Sequence, residues 1–261
     1  MSPLRCLLSL LLLASTAINT VRAAEPAPKA SPHTFVIVHG ATGGGWDWKL
    51  VDRILTAAGH TVYRPTLTGL GERVHLASAD INLTTHITDI VNVILFEDLH
   101  DVVLAGHSYG GMVITGVMDR IPGRISRVMF LDAAVPDDGK SAIDMFGALP
   151  SEHKVVDGQI QFSWLKADAP APRDVSQSYQ TFTEPVSYKN PAAKKLPATY
   201  VAFVPAGENA KKREETDRSW QRAKARGWTI RTLESDHVAE PSHPKELAAL
   251  LQEALQDRNQ P

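Results

Sequence analysis

Cysteine is nearly absent from this chain. Its 261 residues include one, Cys6, so no disulfide can form within the chain. Charge of one sign is lacking too. The 27 Lys and Arg against 29 Asp and Glu leave a net charge of −2, which offers no broad footprint for nucleic acid or for acidic membranes. Gly and Pro, 17 of each, are too few for a collagen-like or low-complexity chain. With 43% hydrophobic and 21% charged residues, an ordinary globular chain remains, large enough to hide about 70% of its unfolded surface. The partner expected is a small molecule that is not polyanionic.

At the start of the chain, Arg5 runs into Cys6-Leu7-Leu8-Ser9-Leu10-Leu11-Leu12-Leu13-Ala14. This stretch has the length of a signal-peptide core and is too short to span a bilayer. Val21-Arg22-Ala23 supplies the small residue needed before a cut, so cleavage is expected after Ala23 or Ala24. Residues 1–23 therefore read as an export signal and 24–33 as a Pro/Ala-rich leader. An Arg directly before Cys6 does not suit a lipoprotein signal. A periplasmic or secreted protein without a stable membrane anchor is expected, and cleavage takes the sole thiol with it.

Beyond the leader, apolar runs suited to strands covered on both faces fall at residues 34–38, 61–64, 102–105, 127–131, 199–204 and 228–233. Between them lie helical patterns at 46–58, 87–95, 112–121, 216–226 and 244–255, the first of them stopped by Gly59. This alternation predicts an α/β fold with a mostly parallel, doubly wound sheet over residues 34–257. Residues 136–197 break it. They are rich in Pro and scattered aromatics, show no clear strand, and read as a cap insertion with a short helix over 142–149. Phe146, Phe162, Trp164, Tyr179, Phe182 and Tyr188 either line a substrate pocket there or pack the cap to the core. The run Lys211-Lys212-Arg213-Glu214-Glu215 reads as a solvated helix start.

The chemistry is carried by Gly106-His107-Ser108-Tyr109-Gly110-Gly111, a G-x-S-x-G pattern between a predicted strand and a predicted helix. A sharp turn of this kind strains the serine backbone and leaves its hydroxyl exposed, next to the free N–H groups of the helix N-terminus. A serine hydroxyl needs a base, and the base needs an orienting carboxylate. Of ten His, His237 lies in a loop after the last strand, at the same sheet edge as Ser108. His243 and His107 are weaker candidates. His33, His60, His75, His86, His100 and His153 are scattered without metal-ligand spacing. The oxyanion hole is expected from the N–H groups of Tyr109 and Ala41, the latter in the loop His39-Gly40-Ala41-Thr42-Gly43-Gly44-Gly45. That loop lacks a nucleotide-binding pattern, and the mechanism calls for no metal or organic cofactor.

With these pieces, together with Pro65-Thr66-Leu67-Thr68-Gly69-Leu70-Gly71-Glu72-Arg73 and Asp236-His237, the chain resembles α/β-hydrolases of the group containing plant methylesterases, hydroxynitrile lyases and related bacterial esterases. In plant members the acid follows the penultimate strand, where this chain has Pro205-Ala206-Gly207-Glu208-Asn209, so Glu208 is the nearest substitute. Elsewhere in the superfamily the acid follows the strand after the nucleophile helix. Here that position is Asp132, at the end of an apolar strand, and it is the preferred assignment. Asp236 adjoins His237 and reads as a turn residue.

The resemblance implies a serine esterase acting on small apolar or aromatic esters, with Ser108, His237 and Asp132 as its triad. Amides, carbamates and lactones suit the same chemistry. The lyases of the group carry Thr after the first-strand His and Lys after the catalytic His, whereas this chain has Gly40 and Val238. A ligand-binding protein on the same scaffold is the non-enzymatic alternative.

The export reading is tested by intact-mass and N-terminal analysis of protein recovered from the periplasm or medium of a bacterial host. A mature chain beginning at Ala24 or Glu25 is expected, and full-length protein retained in the cytoplasm overturns it.

Overall fold

The computed structural model describes residues 31–257, so the expected export signal lies outside the described residues. Among the described residues, six strands form one parallel sheet: β1 (Thr34–Val38), β2 (Thr61–Tyr63), β3 (Val102–His107), β4 (Ile125–Leu131), and, after the insertion, β8 (Ala198–Val204) and β9 (Thr229–Glu234). Their spatial order is β2-β1-β3-β4-β8-β9. The chain runs outward from β1 to β2, then returns past β1 to build β3 and the rest. The strand order thus reverses beside β1 and β3, and open α/β sheets bind ligands outside the carboxyl ends of the strands at such a point.

Both faces of the sheet are covered, which is why its strands read as continuous apolar runs. Along β1, Val36 and Val38 enter one core cluster while Phe35 and Ile37 enter the other, as the two-residue strand period requires. The first face packs against α2 (Leu83–Phe96), α3 (Gly110–Arg120) and α7 (Arg218–Ala225); the second packs against α1 (Lys49–Ala57), α8 (Ala239–Ser242) and α9 (Pro244–Ala254). Trp48, Phe130 and Phe203 are fully buried between these layers.

Two helices differ from expectation. The pattern over 46–58 begins as a 3₁₀ turn, Gly45–Trp48, before α1. The pattern over 216–226 forms α7 from Arg218, and a separate short helix, α6 (Ala210–Thr216), precedes it; Asp217 adopts an extended backbone between the two, and its carboxylate caps Ser219 and Trp220.

The insertion also holds more structure than expected. Besides the short helices α4 (Ala142–Phe146) and α5 (Gln180–Thr183), it contains an antiparallel sheet of β5 (Lys154–Val156), β6 (Gln159–Gln161) and β7 (Gln177–Ser178). β5 and β6 are joined by Asp157-Gly158, both at positive φ, +49° and +73°, the pairing that a two-residue hairpin turn demands. Glu184 anchors the insertion to the start of α2 through the Thr84 amide and hydroxyl, both at 2.7 Å. Asp119 on α3 accepts the amides of Lys189 and Asn190, each at 2.7 Å.

Candidate active site

β3 passes into α3 through Ser108, whose φ is +52°, a left-handed value uncommon for a residue with a side chain. The turn closes because a glycine stands at each tight contact. A Cβ on Gly110 would lie 2.8 Å from the carbonyl oxygens of Val38 and His39, and one on Gly111 would lie 2.1 Å from that of Ala134. Ser108 is fixed by its own backbone: its N–H donates to Leu131, and its carbonyl accepts from Gly111 and Ala134.

His237 follows β9 and faces the serine. Its Nε2 lies 2.9 Å from Ser108 Oγ, and its Nδ1 lies 2.5 Å from Asp132 Oδ2. A carboxylate can only accept, so Nδ1 carries the proton and Nε2 is free to take one from the serine. Asp132 sits directly after β4 with φ +44°. Its other oxygen accepts from Arg213 Nη2 at 2.6 Å and from the Phe203 amide at 3.3 Å. Burial alone raises the Asp132 pKa, but the hydrogen bond and charge of His237, then Arg213, outweigh it and hold the carboxyl below its ordinary range. Glu208 is exposed in the turn after β8 and is not among the partners of His237.

Ala41 and Tyr109 both border the cleft above Ser108. β1 ends against the elbow: a Cβ on Gly40 would lie 3.3 Å from Ser108 Cβ. The next residue, Ala41, is thereby brought beside the serine. Tyr109 is the N-cap of α3, so its amide points with those of the helix start. Thr42, at φ +66°, takes its amide to Gln177 Oε1 of the insertion at 3.0 Å.

The cleft measures about 1250 Å³ and is lined by Phe146, Phe162, Trp164, Phe182 and Met145 from the insertion, with Tyr200 from β8. Tyr188 is instead buried beneath Arg226, whose guanidinium lies 5.0 Å from its ring centroid, and Tyr179 packs against the core. Those two serve packing.

Sequence patterning missed three side chains. Arg213, in a run read as solvated, reaches Asp132. Glu240 is buried and pairs with His107, Oε1 to Nδ1 at 2.7 Å. Asp47 caps the Gly44 amide at 3.0 Å and borders the cleft with Asp174. Among the remaining histidines, His39 and His86 are buried, and that burial lowers each pKa to about 4. His86 is hydrogen-bonded to the Tyr109 hydroxyl and the Thr68 carbonyl, a packing role.

The family model described as "Alpha/beta hydrolase family" matches residues 35–250. This chain belongs to that family. The chain is 50% identical over 119 residues to a "Carbendazim hydrolyzing esterase" of Nocardioides sp. (strain SG-4G), a match covering 45% of this chain and 49% of the relative. It is 35% identical over 133 residues to "Methylesterase 1" of Arabidopsis thaliana, covering 45% and 47%. These matches span about half the length of the curated relatives. Among solved structures, an extracellular alpha/beta-hydrolase from a Paenibacillus species superposes with a TM-score of 0.68 at 23% identity, covering 87% of this chain and 100% of the other. A pyrethroid hydrolase gives 0.67 at 21%, covering 87% and 98%. These two show the shared fold.

Burial pushes the Asp47 carboxyl up from 3.8 to about 7, against the Gly44 hydrogen bond and with Glu240 and Asp174 adding to the shift. Between those values the folded state binds more protons than the unfolded chain, so this group's contribution to stability falls as pH rises from about 4 to about 7. Asp47→Asn keeps the acceptor for Gly44 and carries no charge. In urea unfolding it should gain on the wild type at pH 8 relative to pH 5, and an equal difference at the two pH values contradicts the shift.

Proposed function

We propose that the protein is a serine hydrolase that cleaves carboxylic esters of small apolar or aromatic substrates through an acyl-enzyme, and that it acts after export. The reading is carried by the continuous chain Ser108 Oγ–His237 Nε2 and His237 Nδ1–Asp132 Oδ2, at 2.9 and 2.5 Å. Ser108 Oγ attacks the ester carbonyl while His237 Nε2 takes its proton. The negative charge that develops on the carbonyl oxygen is met by the Ala41 and Tyr109 N–H groups. Asp132 stabilises the imidazolium, which then gives its proton to the departing alcohol. Water, deprotonated by His237, attacks the acyl-enzyme and releases the acid. Atoms balance without a cofactor.

The carbamate ester is a second reading, favoured by the 50% identity to the carbendazim-hydrolysing relative. Asp47 and Asp174 border the same cleft and supply acceptors for substrate N–H groups. Gly40 and Val238 replace the residues expected of a lyase.

Purified protein with 4-nitrophenyl acetate and a fluorophosphonate probe tests the esterase reading. Ser108→Ala should abolish both turnover and labelling, and turnover that survives it overturns the mechanism. The acid is tested separately. Asp132→Asn presents an N–H to His237 Nδ1 and forces the wrong tautomer, so kcat should fall by roughly 10⁴-fold, while Glu208→Gln stays within about threefold of wild type. The reverse pattern moves the acid to Glu208.

A further inference from the structure

His107, the residue before Ser108, points the other way. Its ring is buried between Phe203, stacked at 5.9 Å, and Trp48, edge-on at 6.3 Å, and its centroid lies 4.8 Å from that of His237. Both ring nitrogens are engaged with the segment that carries His237. Nε2 lies 2.8 Å from the His237 carbonyl oxygen, and Nδ1 lies 2.7 Å from Glu240 Oε1. The side chains of His107 and Glu240 are 8% and 3% exposed, so neither bond is replaced by bulk water.

The partners dictate the protons. A carbonyl can only accept, so Nε2 carries a hydrogen. Nδ1 and Glu240 Oε1 then share one more, as an imidazolium facing a carboxylate. Burial disfavours the His107 charge, but the carboxylates of Glu240 and Asp132 outweigh it and raise the pKa, while the same pairing lowers that of Glu240.

We propose that His107 and Glu240 are positioning residues: a buried clamp by which the nucleophile elbow grips the His237 loop at two points, the carbonyl of residue 237 and the side chain of residue 240. The inference rests on the esterase reading above and deepens it. Asp132 fixes the tilt of the His237 ring through Nδ1, but it does not fix the backbone from which that ring hangs. The clamp does, and it does so from the residue bonded to Ser108, so nucleophile and base are referenced to one rigid turn. Displacements of about 1 Å between reacting groups cost roughly 10²-fold in rate, the scale of error that an untethered loop introduces. A buried ion pair is an expensive way to gain stability alone. Its placement between the two halves of the site accounts for it.

The test compares kcat and KM for 4-nitrophenyl acetate in full-length Glu240→Leu, Glu240→Gln, His107→Leu and the His107→Leu/Glu240→Leu double variant. Glu240→Leu and His107→Leu should each lower kcat by roughly 10- to 100-fold, with KM within about threefold of wild type, since the two side chains border the cleft only by their 3% and 8% exposed surface. Glu240→Gln should recover at least tenfold of the loss, because its amide N–H donates to Nδ1 of a neutral His107 whose Nε2–H still holds the carbonyl. The double variant should be no slower than the slower single, as expected of a unit. Should His107→Leu not fold, the Glu240 pair decides alone. Unchanged kcat in Glu240→Leu, no recovery with Gln, or multiplicative losses in the double variant overturn the clamp. Wild-type turnover lost in Ser108→Ala shows that the esterase reading stands in that event. A wild type that neither turns over nor labels overturns both.

Discussion

The two-residue turn from β3 into α3 is the constraint on which the candidate site depends. A serine held at φ +52° costs about 1–3 kcal/mol relative to an ordinary backbone, and the surrounding contacts sustain it. Its carbonyl takes the amides of Gly111 and Ala134, and the carbonyls of Val38 and His39 press so closely on Gly110 that a side chain there has no room. One backbone geometry therefore sends two neighbouring side chains in opposite directions. Ser108 enters the cleft, while His107 enters the interior and meets the loop after β9. Adjacent residues are sent apart in this way because the turn is that sharp.

Charge around Asp132 obeys a second constraint. A buried carboxylate at a strand end must be paired to stay ionised, and this one has His237 on one oxygen and Arg213 with the Phe203 amide on the other. Arg213 keeps Asp132 anionic in the resting state. The two partners are screened unequally: the His237 side chain is 53% exposed and that of Arg213 31%, while the carboxylate they share is 3% exposed.

Much of this was legible in the sequence, for physical reasons. A parallel sheet covered on both faces writes its strands as unbroken apolar runs, so all six were placed to within a few residues. The elbow announced itself because only glycine tolerates its contacts. Asp132 was readable as an acid at the end of an apolar strand, a position that demands a partner. Arg213 and Glu240 were not readable: each reaches its partner across the fold, 81 and 133 residues away in sequence, and charge patterning sees only neighbours. The small sheet of the insertion was missed because β5 is exposed along its length and shows no alternation, although Asp157-Gly158 carried the hairpin signal.

The insertion does more than roof the cleft. Its strands are two and three residues long, and so small a sheet is marginal unless it packs on something larger. What it packs on includes the loop that carries Ala41. Gln177 accepts from the Thr42 amide at 3.0 Å, the Val175 amide donates to the Thr42 carbonyl at 2.9 Å, and both Thr42 and Gln177 are 1% exposed. Thr42 itself stands at positive φ, a conformation that a β-branched residue holds only when its surroundings impose it. The cap thus sets the backbone of the residue next to Ala41, while the same cap presents Phe162, Trp164 and Phe182 to the cleft. On the proposed esterase reading, substrate fit and the placement of Ala41 then depend on one packed unit, so a change in cap shape acts on both.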